Sequence, residues 1–161
     1  SNESFEQFKY WEPTMQIEVD KLKYDDITKK VNQLLLQSVE KRLIADVPVG
    51  IFLSGGIDSS TLVAAASKVA ENKINTFSIT FDDKIYDEGI YARQIADLYA
   101  TNHKEIKVDP NFLLHNMDKY IKQMDHPTVD GLNSYVISKA VSDENIKVAI
   151  SGAGSDQLFL G

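Results

Sequence analysis

Apolar side chains recur along this chain at two spacings, and the spacing changes where one element should give way to the next. From residue 24 to 44, Ile27, Val31, Leu34, Leu35, Val39, Leu43 and Ile44 stand mostly three or four apart, the period of a helix that buries one face. Asp25 or Asp26 can cap its start. Residues 49–53 are a short unbroken apolar run, as expected of a parallel strand covered on both sides. Residues 57–70 follow as an Ala-rich helix, and residues 75–81, β-branched and aromatic, read as a second strand. Ile90, Ala92, Ile95, Ala96 and Leu98 place a helix over residues 87–100. Residues 103–108 alternate and predict a third strand; Pro110 opens a helix towards Met124; residues 133–141 are helical; residues 147–150 form a fourth strand. The stretch 5–20 is aromatic, contains proline and has no period, so it reads as an entry segment or linker.

Strands separated by helices of this length predict right-handed crossovers and an α/β fold, a parallel sheet with helices on both faces. Ligands in such sheets bind at the carboxyl ends of the strands. Two glycine-rich loops, residues 54–60 and 151–156, each follow a strand. Both are therefore expected at one edge of the sheet, facing one crevice.

Composition narrows the chemistry by exclusion. With 161 residues the chain is long enough for one domain with a real core. No apolar run is long enough to span a bilayer and no secretory signal pattern is present, so no membrane partner is expected. Cysteine is absent, which removes disulfides, thiolate metal sites and cysteine nucleophiles and fits a reducing compartment. The net charge of −7 argues against a nucleic-acid partner, because a phosphate-backbone binder needs a basic stripe. Lys29-Lys30 and Lys41-Arg42 are the only adjacent basic pairs.

The first loop carries the strongest chemical signal. Val49 to Ser60 reads as a strand, a Ser-Gly-Gly turn, and Asp-Ser-Ser opening a helix. Glycines let backbone N–H groups approach an anion, and a helix N-terminus adds unpaired N–H groups and a positive dipole end. Ser54, Ser59 and Ser60 add hydroxyls. Asp58 has the wrong charge to attract phosphate, and makes sense beside it only if a divalent cation such as Mg²⁺ bridges the two. There is no lysine and no Walker A spacing. Ser54 to Ser60 instead resembles the SGGxDSS loop of the N-type ATP pyrophosphatases, a Rossmann-like adenine nucleotide alpha hydrolase (HUP-like) fold in which ATP is cleaved between its α and β phosphates.

The second loop, Ser151-Gly152-Ala153-Gly154-Ser155-Asp156-Gln157-Leu158-Phe159, resembles the SGxGxDELFGGY loop of the asparagine synthetase family of glutamine-dependent amidotransferases. Asp125-His126-Pro127 is similar to that family's D-x-P turn, Asp87-Glu88 to its DE segment, and Tyr10-Trp11-Glu12-Pro13 to the aromatic stretch leading out of the glutaminase half. The resemblance implies that Ser54, Gly55, Gly56, Ser59 and Ser60 hold the β and γ phosphates of ATP, and that Asp58 and Asp156 bind Mg²⁺. It further implies that the backbones of Phe52 and Ile79 meet the adenine ring, and that Ser151 and Gly152 lie by the α-phosphate and ribose. An N-cap role for Asp156 at the end of its glycine turn is the plainer reading beside the metal role.

The implied activity is that of a cytoplasmic ATP-dependent carbon–nitrogen ligase. ATP and a small carboxylate substrate give an adenylate and pyrophosphate, and ammonia then gives the amide and AMP. The implied partner is a glutaminase domain in the full-length chain, with a homodimer left open. Ser1-Asn2 is read as an expression-vector remnant, residues 1–23 as that remnant and a linker from a missing glutaminase domain, and residues 24–161 as a C-terminally shortened ATP-binding part, inactive alone. Its last strand is expected to be poorly covered.

Three departures from the family pattern bear on the acceptor. The position normally acidic in the second loop, implicated in the ammonia step, is Ala153, so no catalytic residue is assigned there. Gln157 and Leu160 replace the usual Glu and first Gly of the ELFGGY run. Related amide- or β-lactam-forming ligases with a non-aspartate acceptor, or a nucleotide-binding domain that has lost its chemistry, are the alternatives. His103, His115 and His126 show no metal spacing and are expected on surfaces or loops, His126 nearest the crevice. Tyr86, Tyr91 and Tyr99 are expected to pack at the core or its rim, and Asp82-Asp83 and Asp87-Glu88 to be solvated.

Overall fold

A computed structural model describes residues 6–12, 23–80, 89–108, 110–126, 128 and 131–159. The DE segment, Asp82-Asp83, Tyr86, Pro13, Pro127 and Leu160 lie outside these residues. The chain divides into two compact units, Ser1–Gln33 and Leu34–Gly161. The boundary falls within helix α1 (Tyr24–Leu43), which begins one residue before the expected caps, so Asp25 and Asp26 sit within its first turn. They act there on the helix dipole rather than as caps.

The second unit holds a four-stranded parallel sheet in the order β3-β2-β1-β4. The strands are β1 (Val49–Phe52), β2 (Asn75–Thr80), β3 (Asn102–Lys107) and β4 (Val148–Ile150). The connecting helices are α2 (Ile57–Val69), α3 (Gly89–Leu98), α4 (Pro110–Gln123) and α5 (Gly131–Asp143), and a short α6 (Ser155–Phe159) follows β4. The chain moves outward from β1 to β3, then returns beside β1 as β4, with Gly50 opposite Ala149 and Ile51 opposite Ile150. The order reverses between β1 and β4, which opens a crevice beyond their carboxyl ends.

Side chains alternate across the sheet. Ile51 and Leu53 join Leu62, Val63, Ala65 and Ala66 of α2, Ala92 and Ala96 of α3, and Val39 in one core. The alanines are small enough to let α2 and α3 lie close on the sheet, and complete burial of Ile51 and Val63 contributes roughly 1.5–3 kcal/mol each. Phe77 takes the other face, where α5 packs on β2 and Lys104 of β3 pairs with Glu144 just beyond α5, 2.5 Å apart. At the edge, Val148 and Ala149 of β4 are exposed, as its position predicts.

His103 departs from expectation. It is half-buried in β3, not on a loop, with Nδ1 2.9 Å from Thr76 Oγ1 and Nε2 3.2 Å from Ser78 Oγ. The register that sets Thr76 opposite His103 brings them together. Burial holds its imidazole below the usual histidine pKa, against the raising influence of nearby Glu105 and Asp97. His115 and His126 are exposed, as expected. Tyr99 packs on the core, while Tyr91 is largely exposed.

Candidate functional site

The two glycine-rich loops meet. A Cβ on Gly152 would lie 3.2 Å from Asp58 Cβ and 3.4 Å from Ser59 N, so the second loop runs against the first turn of α2 at contact distance. Between the loops and α5 lies a cleft of about 760 Å³, lined by Phe52, Ser54, Asp58, Ser59, Ile79, Ser151, Gly152, Ala153 and Asp156. Leu53, Ser78, Ser134 and Ile137 complete the lining. Gly55, Gly56 and Ser60 belong to the first loop but do not line the cleft.

The hydroxyls of the first loop chiefly build its shape. Ser59 Oγ donates to the Gly56 carbonyl at 3.2 Å and accepts from the Ser54 backbone N–H at 3.2 Å. It also lies 3.0 Å from Ser54 Oγ. A hydroxyl has one proton and two lone pairs, so Ser59 is saturated and Ser54 must donate to it. Ser54 Oγ in turn accepts the Gly56 N–H at 3.3 Å. Neither hydroxyl keeps a proton for an anion in this arrangement. The donors that remain are backbone groups. Helix α2 has Gly56 as N-cap with no side-chain cap, and its first internal bond runs from Ser60 N–H to the Gly56 carbonyl. The N–H groups of Ile57, Asp58 and Ser59 therefore have no acceptor within the helix. Ser60 Oγ is buried without a partner, an unsatisfied group at the base of the loop.

The second loop opens with the same device. Ala153 N–H donates to Ser151 Oγ at 3.2 Å, as Gly56 N–H does to Ser54. Ser155 Oγ donates to the Gly152 carbonyl at 2.7 Å and starts α6, whose first turn carries Asp156. Asp156 is thus inside a short helix rather than at its N-cap.

Asp58 and Asp156 both line the cleft and lie near enough to act on each other electrostatically. Partial burial, then the facing Asp156 carboxylate, raises the Asp58 pKa. Two converging hard oxygen donors that repel each other suit a divalent cation whose remaining ligands are phosphate oxygens and water. Among the described residues no cluster of three or more His, Cys, Asp or Glu could hold a metal without such help.

A raised folded-state pKa means that Asp58 favours the folded state while protonated, and that this contribution is lost as pH rises through the raised value. At neutral pH without divalent cations, ionised Asp58 opposes folding. Asp58→Asn is therefore expected to raise Tm in chelator at pH 7, with the gain disappearing below the ordinary carboxylate range. Thermal melts across pH check this, and an unchanged or lower Tm at pH 7 would contradict it.

Comparison with known proteins gives the family and the fold. The family model described as asparagine synthase matches residues 30–161. The chain is 37% identical over 158 residues to an asparagine synthetase-like protein of the glutamine-hydrolyzing kind from Methanocaldococcus jannaschii, covering 96% of this chain and 30% of that protein. It is 33% identical to the glutamine-hydrolyzing asparagine synthetase 1 of Bacillus subtilis, covering 85% of this chain and 22% of that one. It is also 31% identical to amidase chry2 of Gibberella zeae, covering 99% and 26%. The chain thus spans between 22% and 30% of the length of these relatives. Among solved structures, the NH3-dependent NAD synthetase of Campylobacter jejuni superposes with a TM-score of 0.54 at 17% identity, over 83% of this chain and 59% of that one. The U34-tRNA thiolase of Methanococcus maripaludis superposes at 0.56 and 18%, over 80% and 48%. These two share the fold, the Rossmann-like sheet expected for the chain. No helix among the described residues is long and apolar enough to cross a membrane.

Proposed function

The chain belongs to the asparagine synthase family, and we propose that residues 24–161 form the ATP-binding part of a glutamine-dependent amidotransferase of that family, an ATP-dependent carbon–nitrogen ligase of the cytoplasm. Residues 1–23, apart from the Ser1-Asn2 remnant, then form the linker from a glutaminase domain that supplies ammonia. The observation that carries this reading is the convergence of Asp58 and Asp156 in one cleft beside the uncapped N-terminus of α2.

In this reading the β and γ phosphates rest on the backbone of residues 54–60, held in shape by Ser54, Gly55, Gly56 and Ser59, with Ser60 beneath. Ser151, whose hydroxyl keeps its proton, and Gly152 lie by the α-phosphate and ribose. Phe52 and Ile79 lie by the base. Asp58 and Asp156 hold Mg²⁺, which when bound neutralises charge on the leaving pyrophosphate. An oxygen of the acceptor carboxylate attacks the α-phosphorus, the bond to the bridging oxygen breaks, and pyrophosphate leaves. Ammonia then attacks the acyl carbon of the adenylate, and AMP leaves with the former carboxylate oxygen.

Ala153 favours an acceptor other than aspartate. It lines the cleft between Gly152 and Gly154, and no neighbouring side chain in that turn replaces the missing acid. That a relative of 31% identity is named an amidase rather than an asparagine synthetase supports the same view; a β-lactam-forming ligase and a nucleotide-binding domain without chemistry are its extremes. Pyrophosphate exchange by the full-length protein, run across candidate acids, is the test. Exchange with a non-aspartate acid alone is expected; exchange with none would leave only nucleotide binding. Ala153→Glu sharpens it. If the absent acid is all that limits aspartate amidation, asparagine formation rises on the order of ten- to a hundredfold, the scale of one added acid–base group. If the acceptor pocket itself differs, it stays flat.

A further inference from the structure

The cleft lining is of two chemical kinds. One carries the Asp58 and Asp156 carboxylates and the loop backbones. The other is apolar: half-buried Phe52 and Ile79 from the sheet and half-buried Ile137 from α5. Ser134, one helical turn before Ile137 and so on the same side of α5, is the polar side chain that this helix brings to the lining.

Resting on the reading that the cleft holds ATP, we propose that Ser134 reads the polar edge of the adenine base. The apolar side chains of β1, β2 and α5 suit the faces of a flat heteroaromatic ring. A charged acceptor acid would lose its hydration there without gaining a partner, so the acceptor belongs near Ala153. A base placed between these walls presents its faces to Phe52, Ile79 and Ile137 and needs a hydrogen-bonding group at its rim.

Five serines line the cleft, and four already make a hydrogen bond within the protein, Ser151 as an acceptor only. Ser54 and Ser59 hold each other, Ser151 takes the Ala153 N–H, and Ser78 holds His103 Nε2 at 3.2 Å. Ser134 is exposed to the cleft and makes no hydrogen bond among the described residues. Its hydroxyl can donate and accept at once, which matches the alternating ring nitrogens and amino group along the adenine edge. Sequence periodicity places residue 134 on a helix but cannot show which side of that helix the return from β3 to β4 turns toward the strand ends.

The test is a cycle between protein and nucleotide variants, read as equilibrium binding to the full-length protein with Mg²⁺. The ligands are ATP and its 1-deaza, 7-deaza and 6-deamino triphosphate analogues. Ser134→Ala is expected to weaken ATP about three- to tenfold, the worth of one net hydrogen bond. For the analogue that lacks the recognised edge group, the same substitution should change nothing, because the partner is already gone. Alanine is the better helix former, so a loss cannot be blamed on α5 unravelling. Ile137→Ala should weaken all four ligands by a common factor. An equal loss with every ligand on Ser134→Ala, or no loss with any, would overturn the assignment while leaving ATP binding intact. Failure of the wild-type protein to bind ATP at all would instead overturn the functional reading beneath it.

Discussion

Replacing Asp58 or Asp156 by alanine in the full-length protein is expected to lower Mg²⁺-dependent pyrophosphate release roughly a thousandfold. The two carboxylates come from different loops and meet across the cleft. With one carboxylate gone the cation is held too weakly at ordinary Mg²⁺ concentrations, so either loss should be nearly as severe as both. The double variant is therefore expected to fall little further than the singles. For the Asp58 variant impaired folding does not account for this result, because the Asp58 carboxylate is already disfavoured by burial and by Asp156. Its removal should relieve the folded state. Higher Mg²⁺ should partly restore a variant that keeps one ligand. Wild-type rates in both single variants would remove the metal assignment.

The elements were legible because their signals are local. The unbroken apolar run of β1 and the Ala-rich spacing of α2 fixed both sides of the first loop to within a residue or two. The common edge of both loops followed from parallel strands alone, since each loop leaves the carboxyl end of its strand. What stayed hidden depends on contacts between distant segments. Nothing near His103 announces that β2 will set hydroxyls of Thr76 and Ser78 against its two ring nitrogens. The saturated hydroxyl of Ser59 is a property of loop geometry, and the sequence counts it as one more phosphate donor. α6 is five residues long, too short to show a period, and so Asp156 read as a possible cap.

The adjacent glycines of the first loop should respond in opposite ways to the same substitution. Gly55 has φ of +84°, and an added Cβ would fall 2.6 Å from Tyr91 Cβ and 2.8 Å from the backbone N of Ala92. The left-handed backbone alone costs a non-glycine residue roughly 1–2 kcal/mol. The overlap is with the first turns of α3, and the backbone at Ala92 cannot step aside because the Ala92 side chain is fully buried on the core. Gly55→Ala is expected to cost on the order of 3 kcal/mol in all, a fall in Tm of about 6–12 °C for a domain of this size. Relief by moving the loop would displace the N–H groups of Ile57, Asp58 and Ser59, so nucleotide binding should drop at least about a hundredfold. Gly56 sits one residue on with φ of −69° and ψ of 167°, open to any residue. Its added Cβ would meet only Ser54 Oγ at 3.4 Å. Gly56→Ala should cost about 1 kcal/mol or less, the ordinary loss at an N-cap, with the loop still formed. Melting curves and nucleotide titrations on the pair decide the matter: equal tolerance would mean that Gly55 is not pinned between the first loop and α3. In that event the loop's shape would rest on its serine network alone, and Ser59→Ala would become the disabling change.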